Sequence, residues 1–255
     1  MDRGIWATWF DVAENDRTEF FQWLHNTYLP ELTAKPGHAW AAHYKVTGGG
    51  PDMNKLGEML KRADMAEIGD QTGSQNVVLV GAASPHLFFQ TDAARLEENQ
   101  SDEIRNKLNL RQGVREAVFS EEARITGPEY GRGTPGGVPG PAIQMGSFRM
   151  GNAEEENTLA TWYAQYRLPY MANMPGCIAT RKMLSVAGWA KHSVLYEYTS
   201  LEARLQNFEI PHEAHALDEK EFTGKIVRMT IHAPGSPSVG ERVWPPVQDS
   251  ETDGV

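Results

Sequence analysis

The 255 residues contain one cysteine, Cys177. No internal disulfide can form, and the sequence fits a reducing compartment. No block of Lys and Arg follows the pattern of a phosphate-tracking segment. There are 24 basic against 34 acidic residues, a formal net charge of −10, so nucleic acid is excluded as a partner class. No apolar run approaches the roughly 18 residues that cross a bilayer, so no membrane partner is expected. The opening Met1-Asp2-Arg3-Gly4-Ile5-Trp6 lacks the apolar core of a signal peptide, and the reading is a cytoplasmic protein. Walker and Rossmann glycine patterns are missing, as is C-x-x-C-H. His212-Glu213-Ala214-His215 is not the H-E-x-x-H zinc motif. The expectation is therefore no metal and no cofactor, with a noncovalent haem on a single histidine the one cofactor the sequence leaves open.

What is present is a repeat. Residues 23–37 read W-L-H-N-T-Y-L-P-E-L-T-A-K-P-G, and residues 162–176 read W-Y-A-Q-Y-R-L-P-Y-M-A-N-M-P-G. Trp23 and Trp162, Leu29 and Leu168, Pro30 and Pro169, Pro36 and Pro175, and Gly37 and Gly176 all match at one gapless offset of 139. A period of about half the chain signals a duplicated domain. Phe20, Trp23, Leu24 and Thr27 recur at helical spacing, as do Leu159, Trp162, Tyr163 and Tyr166. Each helix is expected to stop at Leu-Pro, because proline disfavours the helical region in the residue before it.

Strand signals flank both helices: 5–10, 38–46, 76–83 and 116–126 in the first half, and 143–150, 178–186, 193–199 and 225–232 in the second. The expected domains are a first ferredoxin-like repeat over 1–130 with an insertion at about 50–75, a Gly/Pro linker over 131–141, a second repeat over 142–234, and an irregular tail over 235–255. Each half reads β-α-β-β-α-β. The fold class is α+β, with two ferredoxin-like units closing their bare faces into one intrachain barrel around a cavity.

Trp-x5-Leu-Pro, then Pro-Gly, then a strand with paired basic residues such as Arg181-Lys182, resembles the dimeric α+β barrel superfamily, in particular its EthD-like members. Leu195-Tyr196-Glu197-Tyr198 entering a helix at Ser200 adds to the likeness. The resemblance implies cofactor-independent monooxygenases, cyclases, isomerases and lyases, with haem enzymes in other branches. Such proteins usually carry a histidine just before Leu-Pro, where this sequence has Tyr28 and Arg167.

The duplication separates fold from chemistry. Shared residues hold the scaffold, and positions where the copies differ in polar character are candidates for one asymmetric site. Tyr28 against Arg167, and His43 against Lys182, are such positions. His43, Tyr28 and Glu197 are the candidate proton-transfer residues, His43 because its ordinary pKa lies near neutrality. Arg167, Arg181 and Arg149 are candidate anchors for a carboxylate or phenolate; Arg149 or Arg181 is also the expected partner of Glu197. Trp40, Tyr44, Tyr196 and Tyr198 are candidate walls for an aromatic ring. Strand alternation places His38, Trp40, Ala42 and Tyr44 on one face and His43 on the other. The leading expectation is a cofactor-independent lyase or isomerase acting on an aromatic, phenolic acid in the barrel cavity. The alternatives are a cofactor-free or haem-dependent oxygenase, and a non-catalytic small-molecule binding protein. A homodimer is compatible with this reading, since two-fold dimers are the commonest oligomers.

Overall fold

A computed structural model describes residues 2–90, 100–131 and 137–252. Its strands are β1 (Gly4–Val12), β2 (His38–Val46), β3 (Lys61–Arg62), β4 (Asn76–Ala82), β5 (Arg111–Thr126), β6 (Ala142–Arg149), β7 (Cys177–Gly188), β8 (His192–Tyr198), β9 (Ile231–His232) and β10 (Ser238–Trp244). The sheet runs β10-β2-β4-β1-β5-β7-β8-β6 and closes through a second pairing of β10 with β6. Every ladder of this closed circuit is antiparallel. Closure leaves the barrel no free edge.

The interior is filled rather than hollow. Ile5, Trp9, Tyr44, Leu79, Phe119, Met145, Met183 and Leu195 form one buried cluster. The Arg115 guanidinium lies 3.6 Å from the Trp9 ring centroid within it. Val138 joins the same cluster, and the Tyr44 hydroxyl donates to the Pro139 and Gly140 carbonyls at 3.0 Å. The end of the expected linker is thus a plug packed into the barrel; residues 132–136 lie outside the described residues.

Three expectations are corrected. First, the repeat helix does not stop at Leu-Pro. Helix Arg17–Trp23 passes through a π turn, Leu24–Tyr28, into helix Leu29–Thr33. Helix Ala153–Trp162 does the same through Tyr163–Arg167 into Leu168–Asn173. A π turn shifts the hydrogen-bond ladder by one residue, so proline enters the next helical segment near its start, where its missing N–H costs least. Second, 225–232 is not a strand. Phe222–Met229 is a helix, because Phe222, Ile226 and Met229 can all reach the core beneath the second half at helical spacing. Only Ile231–His232 is extended. Third, the tail is not irregular throughout. Ser238–Trp244 is the strand that closes the barrel. Arg242 ties the tail down, with Nη2 donating to both oxygens of Glu251 at 2.6 and 2.7 Å and Nη1 to the Pro139 carbonyl at 2.7 Å.

Helices cover the outer face of each half. The first half packs Trp6, Phe10, Phe20, Tyr28 and Phe88 beneath its helix. The second packs Phe148, Leu159, Trp162, Tyr196 and Phe208. The insertion forms helix Pro51–Met59 and belongs spatially to the second half. Met53, Leu56 and Leu60 cluster with Ala216, and Glu209 accepts from the Gly50 and Met53 amides at 2.8 and 3.1 Å.

Candidate functional site

The π turn Leu24–Tyr28 carries His25 over β2, where it meets His43. His25 Nε2 and His43 Nδ1 are 2.8 Å apart. His43 Nε2 lies 3.1 Å from Asn76 Oδ1, at the start of β4. Asn76 Nδ2 donates to the Phe10 carbonyl at 3.2 Å, so Oδ1 is the atom turned to His43. The tautomers follow from that network: His43 donates from Nε2, accepts at Nδ1, and His25 donates from Nε2. The His25 Nδ1 lone pair is then the basic end of the chain. Phe21 stacks on both imidazoles, at 6.1 Å from His25 and 5.0 Å from His43, and Trp244 stacks on His25 at 6.2 Å.

Burial pushes His43 down to about 3, with neighbouring His25 pushing the same way. Burial also lowers His25. Both imidazoles are therefore neutral near pH 7 and available as bases. They floor a cleft of about 550 Å³ whose rim includes Arg17, Lys45, Gln75 and Val243. That volume lies in the range of small-molecule sites, roughly 300–1,000 Å³.

The other candidates fall into separate places. Trp40, Tyr44, Arg181 and Glu197 belong to the barrel interior and one of its mouths. Arg181 donates from Nη1 to Asp2 Oδ2 at 2.6 Å and from Nε to Glu197 Oε1 at 2.8 Å. Trp40 Nε1 donates to the same Asp2 oxygen at 2.6 Å, and the Gly140 amide donates to Glu197 Oε2 at 3.1 Å. Burial opposes ionisation of Asp2, yet the Arg181 guanidinium and the hydrogen bonds hold its pKa down at about 2. Burial drives the Tyr44 phenol well above its ordinary value. Asp2, Trp40, Arg181 and Glu197 thus bond to one another and to the Gly140 amide, at a mouth that holds a cavity of about 530 Å³.

Arg167, Tyr196 and Tyr198 sit under the second-half helices, with Tyr196 and Tyr198 rings 6.5 Å apart. Tyr28 is in the first-half core, stacked on Trp23 at 5.0 Å. Arg149 is on the surface, donating from Nε and Nη2 to the Glu67 carboxylate at 2.8 and 3.0 Å. His38 does not share a face with Trp40 and Tyr44. A register shift between His38 and Trp40 turns it outward, 5.5 Å from the Phe88 ring. His43 is thus the one candidate in the 550 Å³ cleft, and the expected single constellation of all ten residues does not form.

His25 was not among the sequence candidates. A signal existed: it stands opposite Ala164 at the repeat offset of 139, a polar-for-apolar exchange. A second missed cluster occupies the equivalent place in the second half. Lys182 Nζ is 2.8 Å from His192 Nδ1 and 3.0 Å from Glu122 Oε2, and His192 Nε2 is 2.6 Å from Glu156 Oε2. Lys182 and His192 stand where His43 and Asn76 stand in the first half.

No protein-family model matches the chain, and no curated protein matches it by sequence. Solved structures do match in shape. A candidate monooxygenase from Fusobacterium nucleatum is 10% identical over 94% of this chain and 92% of its own, with a TM-score of 0.55. A candidate chlorite dismutase is 11% identical over 95% and 96%, at 0.52. An anthrone oxidase-like protein is 11% identical over 95% and 91%, at 0.51. The fold is that of the dimeric α+β barrels. The expectation of a cofactor-independent lyase or isomerase is corrected here, because the structures of like fold are named for oxidative chemistry and dismutation. Among the described residues, no helix is long and apolar enough to cross a membrane.

Proposed function

We propose that this barrel is a cofactor-free oxygenase acting on an acidic, electron-rich aromatic, with the His25–His43 pair as its base. The observation that carries the reading is the 2.8 Å contact between His25 Nε2 and His43 Nδ1 on the floor of the 550 Å³ cleft. The substrate class is a phenol, or a CH₂ group held between aromatic rings. Phe21 and Trp244 offer flat apolar walls beside the dyad. Lys45, on the rim, would draw the anion that deprotonation creates.

His25 Nδ1 accepts the substrate proton. His43 Nδ1 accepts from His25 Nε2 and so orients the imidazolium that forms, with Asn76 Oδ1 fixing the His43 tautomer. The substrate carbanion or phenolate then supplies the electrons that reduce O₂. For a CH₂ substrate, the carbon–oxygen bond forms to give a hydroperoxide, and loss of water leaves a carbonyl: CH₂ plus O₂ gives C=O plus H₂O. The apolar walls limit water around the anion.

Among His25, His43, His212 and His232 as haem ligands, His25 keeps Nδ1 free in the 550 Å³ cleft, while the others are engaged or lie outside the cavities. Both nitrogens of His43 are engaged, as are both of His232. The second-half cavity that His232 lines measures about 70 Å³, far below an ordinary small-molecule site. His212 Nε2 meets no partner, but its ring is stacked 4.3 Å from Tyr170 and lines neither cavity.

The finer architecture belongs to the same reading. The chain is a tandem pair of ferredoxin-like units of EthD-like type, supported by strand orders β5-β1-β4-β2 and β10-β6-β8-β7, which are equivalent in the two halves. The test of function is oxygen uptake by purified protein with anthrone and a panel of polyphenols. Uptake above the buffer rate is expected, and it should collapse in His25→Ala and His43→Ala. Uptake equal to buffer across the panel, or wild-type rates in both variants, overturns the assignment.

A further inference from the structure

The second half holds a buried cation with no counter-charge among the described residues. Arg167 ends the π turn Tyr163–Arg167 and is only 6% exposed. Its Nε and Nη1 are fully buried and meet no hydrogen-bond partner among the described residues. Its neighbours are ring faces. The guanidinium carbon lies 4.5 Å from the Trp162 centroid, 4.9 Å from Phe208 and 5.6 Å from Tyr196. Ring faces soften the burial of a cation, but they do not replace the hydrogen bonds its N–H groups lose on leaving water.

The same side chain lines a cavity of about 70 Å³. Phe148, Trp162, Tyr196 and Ile226 wall it, and Met53 and Leu56 of the insertion helix roof it. The equivalent positions of the first half carry different groups. Trp6 stands at the position of Gln144, Thr8 at that of Gly146, and Tyr28, stacked on Trp23, at that of Arg167. Rings thus stand in the first half where Gln144 and Arg167 stand in the second, which keeps a cavity beside its charge.

We propose that this cavity is a binding site for a small oxyanion held by Arg167. A space of about 70 Å³ accommodates roughly two waters or an anion of three or four heavy atoms. The class is therefore a short carboxylate or an inorganic oxyanion of that size. Arginine suits it because guanidinium N–H groups form short, charge-assisted bonds to such oxygens. The insertion helix explains how the anion is kept from bulk water: Glu209 pins the Gly50 and Met53 amides and so fixes the roof. The site is separate from the His25–His43 cleft and does not depend on the oxygenase reading.

The experiment is thermal unfolding of the intact protein in a low-anion buffer, titrated with sodium formate, sodium acetate, sodium nitrate or sodium chloride at matched ionic strength. For wild type, Tm should climb with the logarithm of oxyanion concentration, as ligand linkage requires. Formate and acetate report a carboxylate, nitrate an inorganic oxyanion, and chloride the general salt effect. Arg167→Met should keep or raise Tm without anion, since it removes an unpaired buried charge, and should lose the oxyanion-specific rise. Gly146→Ala retains Arg167 but narrows the cavity; its new Cβ would sit 3.4 Å from Val194 Cγ1, an ordinary contact. It should weaken the response at least several-fold in anion concentration. If wild type responds to formate, acetate and nitrate no more than to chloride, or if both variants track wild type, the site does not exist.

Discussion

In the first half, the helix that begins at Arg17 faces β2 and β4 across a cleft floored by His43 and Asn76. In the second half, the helix that begins at Ala153 faces β7 and β8 across one floored by Lys182 and His192. The scaffold is the same and the electrostatics are not. The first cleft, about 550 Å³, is floored by neutral imidazoles. The second, about 360 Å³, is internally neutralised. Glu122 takes Lys182, and Glu156 takes both His192 and Lys191. Burial lowers Lys182 from its ordinary value, with Glu122 opposing that shift. A cluster whose charges already satisfy one another has little left for a ligand.

The sharpest way to break this comparison is catalytic. His43→Ala and His25→Ala should each lower kcat by about 10²–10⁴, the usual cost of losing a positioned acid or base. Lys182→Met should stay within about twofold of wild type in kcat/KM. Steady-state oxygen uptake on the same substrate decides it. A Lys182→Met variant as damaged as His43→Ala would mean that both halves work.

Next come the ion networks. Arg181→Met strands Glu197 in the barrel and leaves Asp2 with Arg124 as its remaining guanidinium, and should cost about 3–5 kcal/mol as for other broken buried pairs. Arg149→Ala, whose partner Glu67 is partly exposed, should cost less than about 1 kcal/mol. Urea unfolding of the two variants separates a structural network from a surface contact; equal midpoints would contradict the burial described here.

The repeat tryptophans provide a third comparison. Trp162 is buried and donates to Thr223 Oγ1 at 3.3 Å, whereas Trp23 is only partly buried at the edge of its cluster. Trp162→Ala should cost roughly 3–5 kcal/mol and Trp23→Ala clearly less. Equal losses in chemical denaturation would show that the two helices are seated alike.

These contrasts also mark what the sequence could reveal. Trp, Leu-Pro and Pro-Gly recur because they seat and turn the helix, so the two helices and the strands after them were legible from residues 23–37 and 162–176. The last strand was not. Phe222, Ile226 and Met229 satisfy a helical period, while their neighbours Val227 and Ile231 also satisfy an alternating one, and the choice rests on the second-half core beneath them. β10 lies in a segment whose Gly, Pro and Glu residues hide Val239 and Trp244. The filling of the barrel was hidden as well, because both sheet faces are apolar and nothing local says which encloses space. Glu197 with Arg181 was readable as a pair, since a buried carboxylate needs a partner. His25 was overlooked because the π turn, which swings it over His43, leaves no mark in local composition.

The smallest effect is the pH dependence of the dyad. His43 is held down at about 3 by burial and by His25. Its counterpart in the unfolded chain titrates near 6.5. Above that value neither state binds the proton, and His43 adds no pH dependence. As pH falls below about 6.5 the unfolded chain takes up the proton and the folded one does not, so stability declines toward pH 3. Between about pH 7 and 5.5 the loss from one such histidine is about 1 kcal/mol. His232, also held at about 3 by burial, adds a similar loss but lies outside the cleft. His43→Gln should therefore make the acid limb of a urea-midpoint profile shallower by about one proton, as should His232→Gln. Only the dyad should also govern catalysis. The acid limb of the wild-type rate should lie below the ordinary histidine value, because burial lowers both imidazoles, and His232→Gln should leave that limb in place. A rate that falls steeply near the ordinary histidine value would mean that the base is a solvent-exposed imidazole and that the first-half cleft does not shelter it.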